Sequence, residues 1–388
     1  MMKWKLIKLG EICDIVTGGT PDTSINEYWD NGDIPWLPSG TCQNCIIKSA
    51  NTFITEEGLA NSSAKIMPIN TVVIALTGAT TGKVGILNIE ACANQSVTGI
   101  LPNDALYYKY IFYYLMYSRN RILEDSYGGA QKHISQGYVK NFKIPQPPMD
   151  IQIAISNNLD KVTNLIEVCR NILVKLDLLV KSRFIELFGD PVSNPMKWDT
   201  KALLSIGKCK NGMNFHYDDS GVEIHCLGVG DFKDLSVISD TTILPKISLN
   251  EMPSDEYLLQ NDDIVFVRSN GNKALVGRSL AIYPNDTPTT FSGFCIRFRK
   301  DDDSIIVPYL LRVLKTDSIR KKMAGRGANI QNLNQQILST LKIPIPPLAL
   351  QQQFATFVEQ TDKSKLAVKQ VLEKAGTLKK ALMQENFG

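Results

Sequence analysis

Two rhythms of apolar residues alternate along the chain, and each occurs twice. Short apolar and β-branched runs bounded by turn formers, such as TVVIAL at 71–76, DIVFVR at 263–268 and FCIRF at 294–298, predict strands. The dipeptides Gly18-Gly19, Asn31-Gly32, Asn211-Gly212 and Asn270-Gly271 supply turns between such runs. A short helical pattern closes each set of strands, at 106–124 and 307–323. A proline cluster then fixes an extended stretch, after which a much longer helical pattern begins. In the first long pattern Ile155, Leu159, Val162, Ile166, Cys169, Leu173, Leu176 and Val180 alternate spacings of four and three, the stripe of a helix that pairs with another helix. The second keeps Phe354, Val358, Val368, Leu372, Ala375 and Leu382, but sets Thr361, Lys365 and Lys379 at equivalent places. A helix of about 35 residues is roughly 50 Å long at ~1.5 Å per residue, enough for a rigid spacer.

The alternation is an internal repeat. FKIPQPPMDIQ at 142–152 matches LKIPIPPLALQ at 341–351, with Lys143 over Lys342 at an offset of 199. The same offset carries Tyr110 onto Tyr309, Arg121 onto Arg320, Gly128 onto Gly327, and Phe188-Gly189 onto Phe387-Gly388. Upstream the offset drifts, pairing Val84-Gly85 with Val276-Gly277 and Trp4 with Trp198. Two similar modules joined by a rod suit the reading of two short stretches of a linear polymer at a set spacing. DNA is the obvious polymer, because one face of a duplex recurs about every 34 Å.

Composition narrows the class without deciding it. The chain has 388 residues, 44% apolar and 21% charged, which is ordinary for a globular protein of two or three domains. Its formal charge of +3 places any nucleic-acid surface locally rather than globally. No apolar stretch approaches the roughly 20 residues of a membrane span. Eight cysteines without a secretion signal predict reduced thiols and a cytoplasmic location. Cys42 and Cys45 have zinc-knuckle spacing but no second pair, so two ordinary thiols in a loop are expected there.

The whole chain resembles the specificity subunit of type I restriction-modification systems. The residues that carry the resemblance are GGTPDT and YWDNGDIPWLPSG within 18–40, the doubled KIPxPP followed by Gln152 and Gln351, and FIELFGDP at 184–191. The second block departs from it, keeping only IHCLGVGD at 224–231 where the first has IPWLPSGT, so the two blocks are expected to read different bases. The resemblance implies an α+β fold: two mixed α/β target-recognition domains, 1–148 and 189–347, alternating with two long helices, 149–188 and 348–388, that pair as an antiparallel coiled coil. It also implies double-stranded DNA, two methyltransferase subunits and a restriction/translocase subunit as partners. S-adenosylmethionine, ATP and magnesium would belong to those partners, and this chain would hold no cofactor and catalyse nothing.

Candidate DNA-contacting residues follow from side-chain chemistry in the turns. TGATTGK at 77–83 looks like a phosphate loop, but three residues rather than four separate Gly78 from Gly82, and Val84 stands where Ser or Thr is required. Its expected role is a polar turn presenting Thr77, Thr80, Thr81 and Lys83, matched by Arg268, Asn270, Asn272, Lys273 and Arg278 in the second block. The offset of 199 aligns GGAQKHISQ with RGANIQNLNQ. That places Gln131, Lys132, His133 and Gln136 opposite a loop containing Arg326, Asn329, Gln331 and Asn332. Asn and Gln can pair with adenine, and Arg or Lys with guanine. Ser39 and Thr41, with Asp231 and Lys233 in the second block, complete the set. Catalysis finds no pattern: the three histidines lie in no nucleophile signature, the acidic clusters at 218–219, 262–263 and 301–303 sit in turns, and neither Pro-Pro pair has the adenine-methyltransferase form. Two other classes stay open, a scaffold without DNA reading and an unrecognised fused nuclease or methyltransferase.

Overall fold

A computed structural model describes residues 4–129, 131–215, 219–232, 236–272, 274–324 and 332–388. The chain divides into two compact units, residues 1–171 with 369–388, and residues 172–368. Each unit thus takes one strand-rich module and a length of both long helices, Met149–Phe188 and Leu348–Phe387.

In the first unit, among the described residues, a five-stranded sheet runs in the order Ile15–Thr17, Val97–Ile100, Val72–Ala75, Val84–Leu87, Cys45–Ile47. Only the last pair is parallel. A three-stranded sheet, Thr52–Ile54, Ile34–Leu37 and Cys92–Ala93, covers it, and Leu6–Lys8 pairs with Lys143–Pro145. The central strand is buried at every position because its two faces serve two cores. Val72 and Ile74 pack with Tyr110 and Tyr114, whereas Val73 and Ala75 pack with Leu37 and Ala93.

The second unit repeats this order with Gly207–Asn211, Cys295–Lys300, Asp263–Val267, Ser279–Ile282 and Val237–Ile238. Its smaller sheet is Lys246–Leu249, Val222–Leu227 and Thr289–Phe291. Ile264 and Phe266 face Tyr309, and Val265 and Val267 face Leu227 and Phe291.

Three details differ from the sequence expectation. Each short helix is broken, into Tyr108–Tyr117 and Arg119–Glu124 and into Val307–Leu314 and Asp317–Ala324. At the second break the Thr316 hydroxyl donates to the Val313 carbonyl, 2.7 Å, competing with the helical ladder. Asp263 is not a solvated turn residue: it is fully buried, and Arg299 clamps its carboxylate through Nε and Nη2 at 2.8 and 2.7 Å. The strand expected from Phe294 begins at Cys295, leaving Phe294 in the preceding turn.

The repeated sequence elements are the braces of this fold. The amide of Gln152, 1% exposed, accepts from Tyr107 N and donates to the carbonyls of Ala105 and Pro147. Gln351 does the same with Ile306 N, Ser304 and Pro346. The Tyr110 and Tyr309 hydroxyls donate to Pro145 and Pro344 at 3.1 and 3.0 Å. The doubled Phe-Gly is equally legible, since Phe387 packs on Tyr110 and Tyr114, and Phe188 on Tyr309 and Phe354. In the second unit the long helices run antiparallel, with Lys365 bonded to Asp177 at 2.7 Å and Phe354 against Phe184. Gly18 and Gly19 of the GGTP element are needed for contact: a Cβ would lie 2.1 Å from the Ala93 oxygen or 2.3 Å from the Ser63 hydroxyl.

Candidate nucleic-acid interface

In the first unit the polar turn 77–83 is the loop of an antiparallel hairpin between Val72–Ala75 and Val84–Leu87, with no helix after it. The fold sets a second loop against it. Thr77 bridges to His133, Gly78 N donates to the Lys132 carbonyl at 3.0 Å, and Ile134 N donates to the Leu76 carbonyl at 2.9 Å. A third loop joins them, because Lys83 Nζ donates to Gln43 Oε1, 2.7 Å, just after the turn Ser39–Thr41. Three segments far apart in sequence thus form one patch carrying Thr77, Thr80, Lys83, Lys132 and His133, with Gln131 exposed beside them. Two expected contacts turn inward instead. Thr81 is fully buried and donates to the carbonyls of Gly78 and Lys132, both 2.8 Å, and Gln136 donates to the Ile15 carbonyl.

The second unit repeats the construction. Ser269 bridges to Asn332, and Leu333 N donates to the Arg268 carbonyl at 2.7 Å. Asn270 and Asn272 cap the turn, accepting from the backbone N–H groups of Asn272 and Ala274, and Asp231 caps its own turn by accepting from Gly228 N. Lys233, Lys273, Arg326, Asn329, Gln331 and His216 lie outside the described residues. The match of Val84-Gly85 with Val276-Gly277 is displaced by three residues. Gly82 N donates to Ala75 O and Gly277 N to Val267 O, at 2.9 and 2.8 Å, and both glycines have φ near +73°. Gly82 therefore corresponds to Gly277: the offset grows from 267 − 75 = 192 to 277 − 82 = 195 because the second turn is three residues longer. Lys83 and Arg278 then occupy the same place, each accepting on its carbonyl the N–H that opens the turn.

The electrostatics behind the turns differ. In the second unit, burial and the neighbouring Arg278 hold the Arg320 guanidinium below its usual range, so two like charges lie close together there. In the first, Arg121 lies 3.9 Å from Asp125 and covers the Phe142 ring. Two exposed aromatics escaped the sequence reading. Tyr127, 60% exposed, stands edge-on to His133, and Phe294, also 60% exposed, accepts through its carbonyl from Arg268 N and Ser269 N. Isolated aromatics carry no sequence pattern; the only hint for Phe294 was the glycine before it.

Among the described residues no three His, Cys, Asp or Glu side chains are grouped as metal ligands. Burial pushes the thiols of Cys42, Cys209 and Cys226 up to about 12, so they stay protonated. Cys45, three residues on from Cys42, is exposed.

Comparison of the chain with known proteins points to one family. The model described as type I restriction modification DNA specificity domain matches twice, over residues 1–178 and 197–375. The chain belongs to that family. It is a specificity chain with two such domains, and the sheet order repeats with them. The MjaIX specificity subunit of Methanocaldococcus jannaschii is 24% identical over 92% of this chain and 86% of the relative. The StySPI specificity subunit of Salmonella potsdam is 23% identical over 99% and 88%. The EcoR124I/EcoR124II specificity subunit of Escherichia coli is more similar, 31%, over only 42% of this chain and 41% of its own length. Among solved structures, the S subunit from M. genitalium aligns with a TM-score of 0.60 at 17% identity, covering 100% of this chain and 96% of that one. A chain from work on complex assembly and conformational transition of the type I R-M system aligns at 0.62 and 16%, covering 99% and 97%. At such identity these two establish a shared fold. No helix among the described residues is long and apolar enough to cross a membrane.

Proposed function

We propose that this specificity chain reads a bipartite duplex-DNA target, one half-site per module, through the patch around Thr77, Lys83, Lys132 and His133 and its counterpart around Arg268, Asn270, Asn272, Arg278 and Asn332. One observation carries the reading: both units bring the same two distant loops together by the same bridge, Thr77 with His133 and Ser269 with Asn332. The bridge is shared while the side chains differ, which is what two readers of different sequences need. Lys and Arg there would contact phosphates and guanine, Asn and Gln adenine.

The chain itself would catalyse nothing. Two methyltransferase subunits, and a restriction/translocase subunit when restriction occurs, would bring S-adenosylmethionine, ATP and magnesium, and the methyltransferases would flip the target base. The long helices support this docking role. Leu165, Val168, Val174, Leu178 and Leu179 of the first helix, and Leu366 and Leu378 of the second, are 42–59% exposed, an apolar cost that a partner would recover. Duplex binding by the chain with its methyltransferase partner, measured from 50 to 200 mM salt, tests the reading. We expect affinity to fall steeply, by about 10³-fold or more if six or more phosphates are contacted. Salt-independent binding, or methylation by the isolated chain, would refute it.

A further inference from the structure

Phe294 is the one large apolar side chain standing out of the second unit's polar patch as described. Residues 295–298 of the strand that follows are all buried, whereas Phe294 is 60% exposed. Its backbone is pinned rather than loose. The Phe294 carbonyl accepts from Arg268 N at 2.8 Å and Ser269 N at 3.3 Å, and the preceding Gly293 donates to Met213 O and accepts from Arg268 Nη1. The side chain therefore leaves the fold from a fixed point beside Arg268, Ser269 and Asn332.

The same point in the first unit carries a different residue. Leu76 N donates to the Ser96 carbonyl at 2.8 Å, as Arg268 N does to that of Phe294, so Ser96 is the counterpart. A phenyl ring in place of a hydroxymethyl gains little for this fold, because most of the residue stays in solvent. It gains something only from an apolar partner, and within a base-reading surface the groove offers one such group, the C5 methyl of thymine. A phosphate or a hydrogen-bonding base edge would prefer the serine.

We propose that Phe294 is a specificity-determining residue that reads a thymine of the second half-site by apolar contact with its C5 methyl in the major groove. The proposal rests on the patch being the DNA interface. It also implies an asymmetry: the first module, with Ser96, has no matching preference at this position.

The test is a uracil scan, since deoxyuridine differs from thymidine by that methyl alone. The full chain with its methyltransferase partner is titrated with duplexes carrying its target, each half-site thymine replaced singly by uracil. One replacement in the second half-site should weaken wild-type binding about fourfold, the worth of one buried methyl-sized group. Phe294→Ser should bind that duplex and its thymine parent equally, whereas Phe294→Leu should keep about half of the discrimination. The wild-type scan needs no variant, so misfolding cannot hide the answer. A second half-site made only of G·C pairs, a scan in which no uracil weakens binding, or a Phe294→Ser loss that no uracil reproduces would overturn the proposal while the DNA interface stands. Failure of the wild-type complex to bind its target at all would remove both.

Discussion

Replacing Gln152 by leucine removes the brace that ties the first module to the first long helix. The amide makes three hydrogen bonds, to Tyr107 N at 2.8 Å, Ala105 O at 3.1 Å and Pro147 O at 2.8 Å, and the residue is 1% exposed. Leucine has similar volume, so the loss is polar rather than a cavity. Each buried group left without a partner costs about 1–3 kcal/mol. The bond to Pro147 is fully buried and the other two are partly so, which lets water recover some of the cost; the sum is about 3 kcal/mol. That is a large share of the 5–15 kcal/mol typical of a folded domain. Native-state hydrogen exchange is the suitable assay, because it assigns the loss to one unit. Protection should fall around 105–110 and 143–160 and stay unchanged in 200–345. Gln351→Leu should produce the mirror result. Equal protection in wild type and both variants would refute the view that these glutamines hold module to helix.

Four further outcomes follow from the same geometry. Lys83→Ala and Arg268→Ala should each weaken DNA binding and lower the salt slope by about one, with little change in melting temperature; loss of folding would mark them as structural. Lys315 is held down to about 8 by burial and the nearby Arg312, Arg278 and Arg320, so the folded state binds fewer protons than the unfolded one. Stability from this group therefore rises as pH climbs from about 8 towards 10.5, and Lys315→Met should raise the melting temperature at pH 7 and flatten that rise. Met116 stands at the equivalent place in the first unit, which makes the exchange tolerable. Four residues inserted after Leu173 advance the helix by about 6 Å and preserve the seam as a stutter. Mapped methylation should then show half-sites about two base pairs further apart, and an unchanged gap with intact methylation would mean the helices do not set the spacing.

The repeat made most of the fold legible, and its limits lie in the turns. The offset of 199 correctly placed His133 over Asn332, since the segment from Tyr110 to Phe188 repeats without gaps. It also singles out Gln152 and Gln351, whose function as braces depends on backbone groups some 45 residues upstream that only the fold brings to them. The equivalence of Lys83 with Arg278 was hidden because three extra residues fall inside the second turn, where no apolar pattern anchors an alignment. Thr81 and Gln136 have the same chemistry as their exposed neighbours, and only the direction of the side chain, set by the close approach of the 132–134 backbone, makes them struts. The burial of Asp263 is hidden in the sequence for a related reason: its partner Arg299 lies on a neighbouring strand, 36 residues on.

The central claim is that each module reads its own half-site, and a methylome measures this directly. Cells expressing the chain with its methyltransferase partner should show methylated adenines in a two-part motif with a fixed gap. Replacing residues 1–148 by the corresponding block of a related subunit should change one part of that motif and leave the other, and the gap, as they were. A continuous motif, or a change in both parts at once, would contradict the account.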